Sequence, residues 1–522
     1  MKILFSPNDN LIKSTQLQDW CVDEIVLPTK RSDFNLPDVD DDLILFVPTI
    51  INQDFAVEYD GAEYALKLYF NCLRRKKLNI RIVLLGIESP QSFMLKFAYP
   101  SILKCPGLEY TLFNIGEVTA YNRTVDRIDY DLAIDSIKSL GISLPESYKS
   151  NHSFINEWSV YKWSEFMGYD NSTLLKAMKD NIYFDYLITI LGTKKERVSS
   201  KTLTEISNLK GKVLLIDDSP YWHSFFTQFF KDSKVQLRVV GQEFKKQQAD
   251  NIVELCKNQV DESDPDVILL DFRLNEDKDF DVKNRKEISG IKVLRNLKGS
   301  LDDEHKYEAP CKYFGTKIIM FTATGKIDHV FAMQNYGADA FILKERPEIY
   351  IGKSSTKNAI RDVQTILQKM LDCADISKPI NRSLNNWLTY ATSPNIDDNL
   401  STKLRHVVEV VRTIMQGDFL TLPKLKLIYL ECFSILEALK TNKEKLFIYI
   451  DGLASKLDLS SDKHLLWQDV NEMRKSLAHG FNNAKIHGSI TPVTTELISE
   501  WLINLCLFID GLISLYIMKS HC

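Results

Sequence analysis

Between residues 212 and 372 five short, largely apolar runs recur, "KVLLID", "VQLRVV", "DVILLD", "KIIMFT" and "DAFILK", separated by stretches of helical period. The run Val267-Ile268-Leu269-Leu270 is apolar at every position, which suits a strand buried on both faces of a parallel sheet. Five strand–helix units in this length predict a doubly wound, five-stranded parallel sheet. In such a sheet all the strand ends lie on one edge. The first run ends in Asp217-Asp218, the third in Asp271, the fourth in Thr322 and the fifth in Lys344. Aspartate is depleted in strands and costly to bury as an unpaired charge. It stands there either as a cap for the following turn or as part of a chemical site. Neighbouring carboxylates repel unless a cation joins them, and oxygen ligands of this kind suit Mg²⁺. Asp271 is then a nucleophile candidate toward a phosphoryl group, with Lys344 and the Thr322 hydroxyl placed to meet phosphoryl oxygens.

The stretches "LLIDDS", "ILLDFRL", "MFTA" and "GADAFILKE" closely resemble the receiver domain of two-component response regulators, in the family's order across 212–372. The resemblance implies a flavodoxin-like fold and phosphorylation of Asp271 by a cognate histidine kinase. It implies a Mg²⁺ site made by Asp218, Asp271 and the backbone carbonyl of Arg273, with Asp217 assisting. Thr322 and Phe341 would act as the switch hydroxyl and switch aromatic, moving inward on phosphorylation. Glu345 stands where the family usually has proline, and "NEDKDFDVKNRKE" (275–287) is a longer, more charged loop than usual.

At 522 residues, the chain is expected to form roughly two to four domains. Residues 1–120 read as an α/β module, receiver-like in length and strand count. Its strand ends carry Ser6, Pro28, Pro48 and Gly86 in place of carboxylates. Residues 121–211 read as a helical connector, 212–372 as the receiver, 373–399 as a polar linker and 400–522 as a helical bundle. The expected class is therefore multidomain, α/β followed by all-α. A net charge of −5 gives no global basic footprint for nucleic acid, though a local RNA site is compatible with it. Nine cysteines without a CxxC pair argue against a disulfide framework or zinc site and for a reducing cytoplasm. The apolar run 501–518 is broken by Asn504, Asp510 and Gly511. It reads as a buried helix or oligomer face, not as a membrane span.

Within "NEMRKSLAHGF" (471–481), Arg474 and His479 resemble the motif of HEPN domains, a helical family with many metal-independent ribonucleases. The resemblance implies His479 as general acid or base, Arg474 as a phosphorane clamp, and a dimer that brings two motifs into one cleft. Five positions along an ideal helix separate side chains by about 140°, so one unbroken helix would not aim both at one pocket. The alternative roles are an ion pair for Arg474 and a helix-end cap for His479. "LAHGFNNAKIHG" also resembles a phosphorylated-histidine box, and His406 is a weaker candidate of that kind. The combined expectation is a cytoplasmic response regulator whose phosphorylated receiver gates a homodimeric HEPN-like effector. That effector would cleave RNA in stress or phage defence. The alternatives are a non-enzymatic signalling adaptor and a histidine phosphotransfer bundle.

Overall fold

The computed structural model of the chain describes residues 1–5, 23–26, 42–51, 59–112, 124–143, 151–178, 181–191, 197–244, 249–275, 279, 282, 284–299, 310–323, 327–346, 355–416, 420–439, 467–480, 482–486 and 489–519. The chain divides into two compact units, Met1–Arg197 and Val198–Cys522.

The first unit is built on β1 (Lys2–Phe5), β2 (Glu24–Val26), β3 (Leu43–Pro48), β4 (Ile80–Gly86) and β5 (Leu108–Leu112). All pair in parallel, in the order β2-β1-β3-β4-β5. The runs "KILF" and "LILFVP" are buried on both faces, as their continuous apolar character requires. Helices α1 (Asp60–Arg74) and α2 (Pro90–Lys96) follow β3 and β4; Ser89 caps α2 by accepting from the Ser92 N–H. Four further helices follow: α3 (Tyr130–Lys138), α4 (Asn151–Met167), α5 (Ser172–Met178) and α6 (Ile182–Leu191). Arg74 of α1 pairs with Asp185 of α6 at 2.7 Å, and the Phe154, Trp158 and Tyr161 rings of α4 meet Phe184 of α6.

The second unit begins with α7 (Ser200–Ser207) and repeats the sheet plan with β6 (Lys210–Ile216), β7 (Lys234–Val240), β8 (Val267–Asp271), β9 (Lys317–Thr322) and β10 (Ala340–Leu343). The strands are again all parallel, in the order β7-β6-β8-β9-β10. In both sheets the chain's second strand lies at one edge and the first beside the third, so both carry a switch point between first and third strands. Helices α8 (Pro220–Phe229), α9 (Ala249–Ser263), α10 (Ser289–Lys298) and α11 (Ile327–Asn335) link the strands. Four phenylalanines and Trp222 along α8 and its end pack edge-on and stacked, and Trp222 and Phe226 reach Phe321 of β9.

The stretch expected to be a linker, 373–399, is mostly helix. Helix α12 runs unbroken from Ser355 to Ala391. Leu371 packs against the bare Gly211 of β6, while Ile380, Leu384, Trp387 and Leu388 enter the core of the C-terminal helices. One helix therefore belongs to both the sheet and the bundle. The bundle adds α13 (Asp398–Met415), α14 (Leu422–Ala438), α15 (Trp467–Ala478) and α16 (Thr495–Lys519). An antiparallel hairpin, β11 (Asn483–Ile486) and β12 (Ser489–Pro492), interrupts a region expected to be purely helical. The apolar run 501–518 lies in α16, whose Leu502, Leu505, Ile509 and Ile513 are sealed in the bundle core. Polar groups join bundle to sheet as well. Lys317 of β9 meets Asp339 at 3.1 Å and the Met415 carbonyl at 3.3 Å, and Lys298 meets Asp339 at 2.7 Å. Buried Arg412 donates to Asn385 at 2.7 Å, and Asn385 accepts from the Cys311 N–H at 2.8 Å.

Candidate functional site

The second sheet brings its polar strand ends to one edge. β6 delivers Asp217, whose Oδ1 accepts from the Ser219 N–H at 2.9 Å and so orients the turn into α8. The Asp217 carbonyl lies 2.6 Å from His223 Nε2. Gly241, at φ +140°, lets this turn approach β7: a Cβ there would stand 2.0 Å from the Asp217 oxygen. β8 delivers Asp271, and α10 closes behind it through Gly290, where a Cβ would stand 2.2 Å from the Asp271 backbone carbonyl oxygen. The Leu274 N–H donates to Ser289 Oγ at 2.8 Å, and the Ser289 N–H donates to buried Asp279 at 3.0 Å, which ties the β8–α10 loop to the helix. Lys344 follows β10, and its N–H donates to the Thr322 carbonyl at 2.8 Å.

The resulting geometry is compact. Lys344 Nζ donates to Asp217 Oδ2 at 3.0 Å and to Asp271 Oδ1 at 2.9 Å, and all three side chains are fully buried. The ammonium also lies 4.6 Å from the Phe321 ring centroid and 5.5 Å from that of Trp222. Burial pushes the Asp217 carboxyl above its ordinary value; Lys344 opposes this and Asp271 reinforces it. Burial likewise raises Asp271, against the pull of Lys344 and of the Phe272 and Arg273 N–H groups. For Lys344 burial pulls downward, but the two carboxylates outweigh it and the ammonium is held above the usual lysine value. Two buried carboxylates thus share one ammonium.

Asp218 completes the acidic set: oxygens of Asp217, Asp218 and Asp271 lie within 4.8 Å of one another. Asp271 Oδ2 is buried and has no hydrogen-bond partner. Buried polar atoms rarely stay unsatisfied, so an orphan carboxylate oxygen among acidic neighbours fits a hard divalent cation. Thr322 is fully buried, and Phe341, in register with Met320, is half-buried at the rim of the core. Arg273 lies two residues beyond Asp271, its side chain half-buried. Glu345, in the position where proline was expected, accepts from Thr356 in the first turn of α12 at 2.8 and 3.0 Å. Of the loop 275–287, residues 276–278, 280, 281 and 283 lie outside the described residues. His223, and His329 stacked on Phe272 at 5.1 Å, border the site without having been marked by the sequence pattern.

Strand register compares the first sheet residue by residue. Pro48 pairs with Leu85 as Asp271 pairs with Phe321, so Pro48 occupies the place of Asp271. Gly86 then matches Thr322, and Tyr110 matches Phe341. Ser6 and Pro28, expected at the ends of the first two strands, lie outside the described residues. At these described positions, Pro48 and Gly86, the scaffold is kept while the polar groups are gone. The Gly61 N–H donates to the Thr49 carbonyl at 3.1 Å as that of Gly290 does to Phe272 at 3.2 Å. The Ile51 N–H donates to Asp60 at 2.8 Å, as that of Leu274 does to Ser289.

The C-terminal candidates lie on the helices of the bundle or just past a helix end. Arg474 pairs with Glu437 of α14 at 3.0 Å and lies 5.2 Å over the Phe433 ring. His479 is exposed just past α15, its N–H on the Lys475 carbonyl at 3.0 Å, and Gly480 ends the helix at φ +70°. His406 is exposed on α13.

Among solved structures, the chain resembles the signal receiver domain of a protein described as a Luxo repressor from Vibrio parahaemolyticus. Identity is 21%, the TM-score is 0.21, and the match covers 32% of this chain and 95% of that one. It also resembles a protein described as a two-component system response regulator with a GGDEF domain, at 10% identity and TM-score 0.20, over 71% of this chain and 99% of that one. No family model and no curated protein matches the sequence. The similarity to receiver structures is distant.

Proposed function

We propose that this chain is a response regulator whose Asp271 takes a phosphoryl group from a phosphohistidine of a partner kinase. The observation that carries the reading is the buried Lys344 ammonium bridging Asp217 and Asp271, with one Asp271 oxygen left unpartnered. An Asp271 oxygen attacks phosphorus, the phosphorus–nitrogen bond breaks, and the electron pair leaves with the imidazole. Lys344 and the Thr322 hydroxyl take the new phosphoryl oxygens. Asp217, Asp218, Asp271 and the Arg273 carbonyl would hold Mg²⁺, which supplies positive charge against the repulsion between carboxylates and phosphoryl group. The helical bundle is the output. The pairing of Arg474 with Glu437 and Phe433 favours a signalling adaptor. A HEPN-type ribonuclease is the second reading, supported by the exposed His479 beside a glycine-ended helix.

The test uses acetyl phosphate with MgCl₂, followed by phosphate-affinity electrophoresis. A retarded band in wild type, absent in Asp271→Asn and in EDTA, is the expected result; wild type without that band would sink the reading. RNA incubated with the beryllofluoride-treated protein separates the outputs. Cleavage lost in His479→Ala would establish the ribonuclease, and intact RNA from folded protein would leave the adaptor.

A further inference from the structure

At its described strand ends the first sheet keeps the scaffold of the second without the polar groups, Pro48 standing for Asp271 and Gly86 for Thr322, and at one place the missing group has been replaced. Gly86 stands where Thr322 stands. Its lack of a side chain is used: a Cβ at Gly86 would lie 1.8 Å from the Tyr110 hydroxyl oxygen and 2.3 Å from the ring carbon that bears it. Tyr110 matches Phe341 by register. Its ring therefore lies across Gly86, in the space that the second sheet gives to a threonine side chain. The hydroxyl donates to the Glu88 carbonyl at 2.6 Å, and Phe93 of α2 packs on the ring at 5.1 Å.

The acceptor is itself held. The Glu88 carboxylate accepts from Tyr59, from Ser92 and, at 2.7 Å, from Lys96, which fixes the loop between β4 and α2. These hydrogen bonds, that of Lys96 foremost, hold the carboxyl down at about 2.

We infer that the N-terminal unit is a receiver-type module fixed in one switch position, blind to phosphorylation, with the Tyr110 ring filling the place of the switch hydroxyl. Pro48 removes the acceptor and Gly86 removes the obstacle to the ring. The hydrogen bond to Glu88 then holds the ring where it is. The contrast with a mobile Phe341 rests on the function proposed above; the holding of Tyr110 does not.

The experiment uses the full chain with 3-fluorotyrosine at position 110, and in a second sample 4-fluorophenylalanine at position 341, read by ¹⁹F NMR. The position-110 signal is expected to be one line that Mg²⁺ and beryllofluoride leave unchanged. In Gly86→Ala the new methyl displaces the ring and the line moves, while the rest of the spectrum keeps its folded dispersion. Two exchanging lines in wild type, a line that follows beryllofluoride, or a line that ignores Gly86→Ala in folded protein would each overturn the inference. If Gly86→Ala does not fold, the wild-type response to beryllofluoride and temperature still decides it. A position-341 line that fails to move with beryllofluoride counts against the phosphoryl reading of the second sheet, and has no bearing on whether Tyr110 is held.

Discussion

Asp271 has no exposed surface; Lys344 holds one of its oxygens, and no hydrogen bond reaches the other. Its pH behaviour follows from that. Asp217 and Asp271 are raised in the folded chain, so between the ordinary carboxylate range and their raised values the native state binds more protons than the unfolded one. Their contribution to stability therefore falls as pH rises through that window. At the proposed Mg²⁺ site the ion would need the deprotonated pair, so its stabilising effect should grow with pH over the same window and vanish toward acid. At 100 times its dissociation constant it should add about 2.7 kcal/mol. Thermal melts in MgCl₂ and in EDTA across pH check this, and an Mg²⁺ effect independent of pH would contradict it. His223 holds the Asp217 carbonyl from behind. His223→Leu should weaken Mg²⁺ binding by about 10-fold in calorimetric titration, the lower end for partners behind a metal ligand, and His223→Gln should restore part of it. Asp217, Asp271 and Lys344 were legible because each ends an apolar run, where a charge has no packing role. His223, Ser289 and Gly290 were not, because they act on backbone groups that only the folded loops bring near.

At the scale of elements, the misread linker shows why composition can mislead. Ser377, Asn381 and Asn385 look like a solvated connection, yet they are polar because they serve the strand-entry loop before β9. Ser377 donates to the Gly315 carbonyl at 2.7 Å, and Asn381 donates to Cys311 and Lys312 at 3.0 and 3.2 Å. Helical period was present there, but hydrogen-bonding demand in a neighbouring loop leaves no trace in periodicity. The five strands of each sheet, by contrast, were legible from apolar runs alone, and only their register shows that the two sheets match position by position. The buried trio Lys298, Lys317 and Asp339 stands at this junction, where Lys317 also reaches the Met415 carbonyl. Burial lowers Lys298, and Asp339 opposes that. Asp339→Ala strands two buried ammonium groups and should cost about 3–5 kcal/mol in urea unfolding. A loss under about 1 kcal/mol, within the range of an exposed pair, would show that water reaches the trio.

At the largest scale, a shared helix and the Lys317 contact with the Met415 carbonyl tie sheet and bundle together within the compact unit Val198–Cys522. Calorimetry on that fragment should give a single transition in which sheet and bundle melt together. Two resolved transitions would mean that α12 breaks between them. On the function proposed above, a signal from Asp271 to the bundle would travel as strain within a packed body, without release of a tethered part. Helix α11 and the end of α13 already touch, through Gln416 donating to the Gln334 carbonyl at 3.3 Å. The continuity of α12 also bears on ancestry. Each residue gained or lost between Leu371 and Ile380 would turn the bundle by about 100° and slide it by about 1.5 Å against the sheet. Recombination at a flexible tether tolerates any length of insert, but here only exchanges close to whole helical turns would preserve both partners. On the function proposed above, new outputs should enter by changes on the bundle's outer surface, because the boundary between sheet and bundle is a matter of phase.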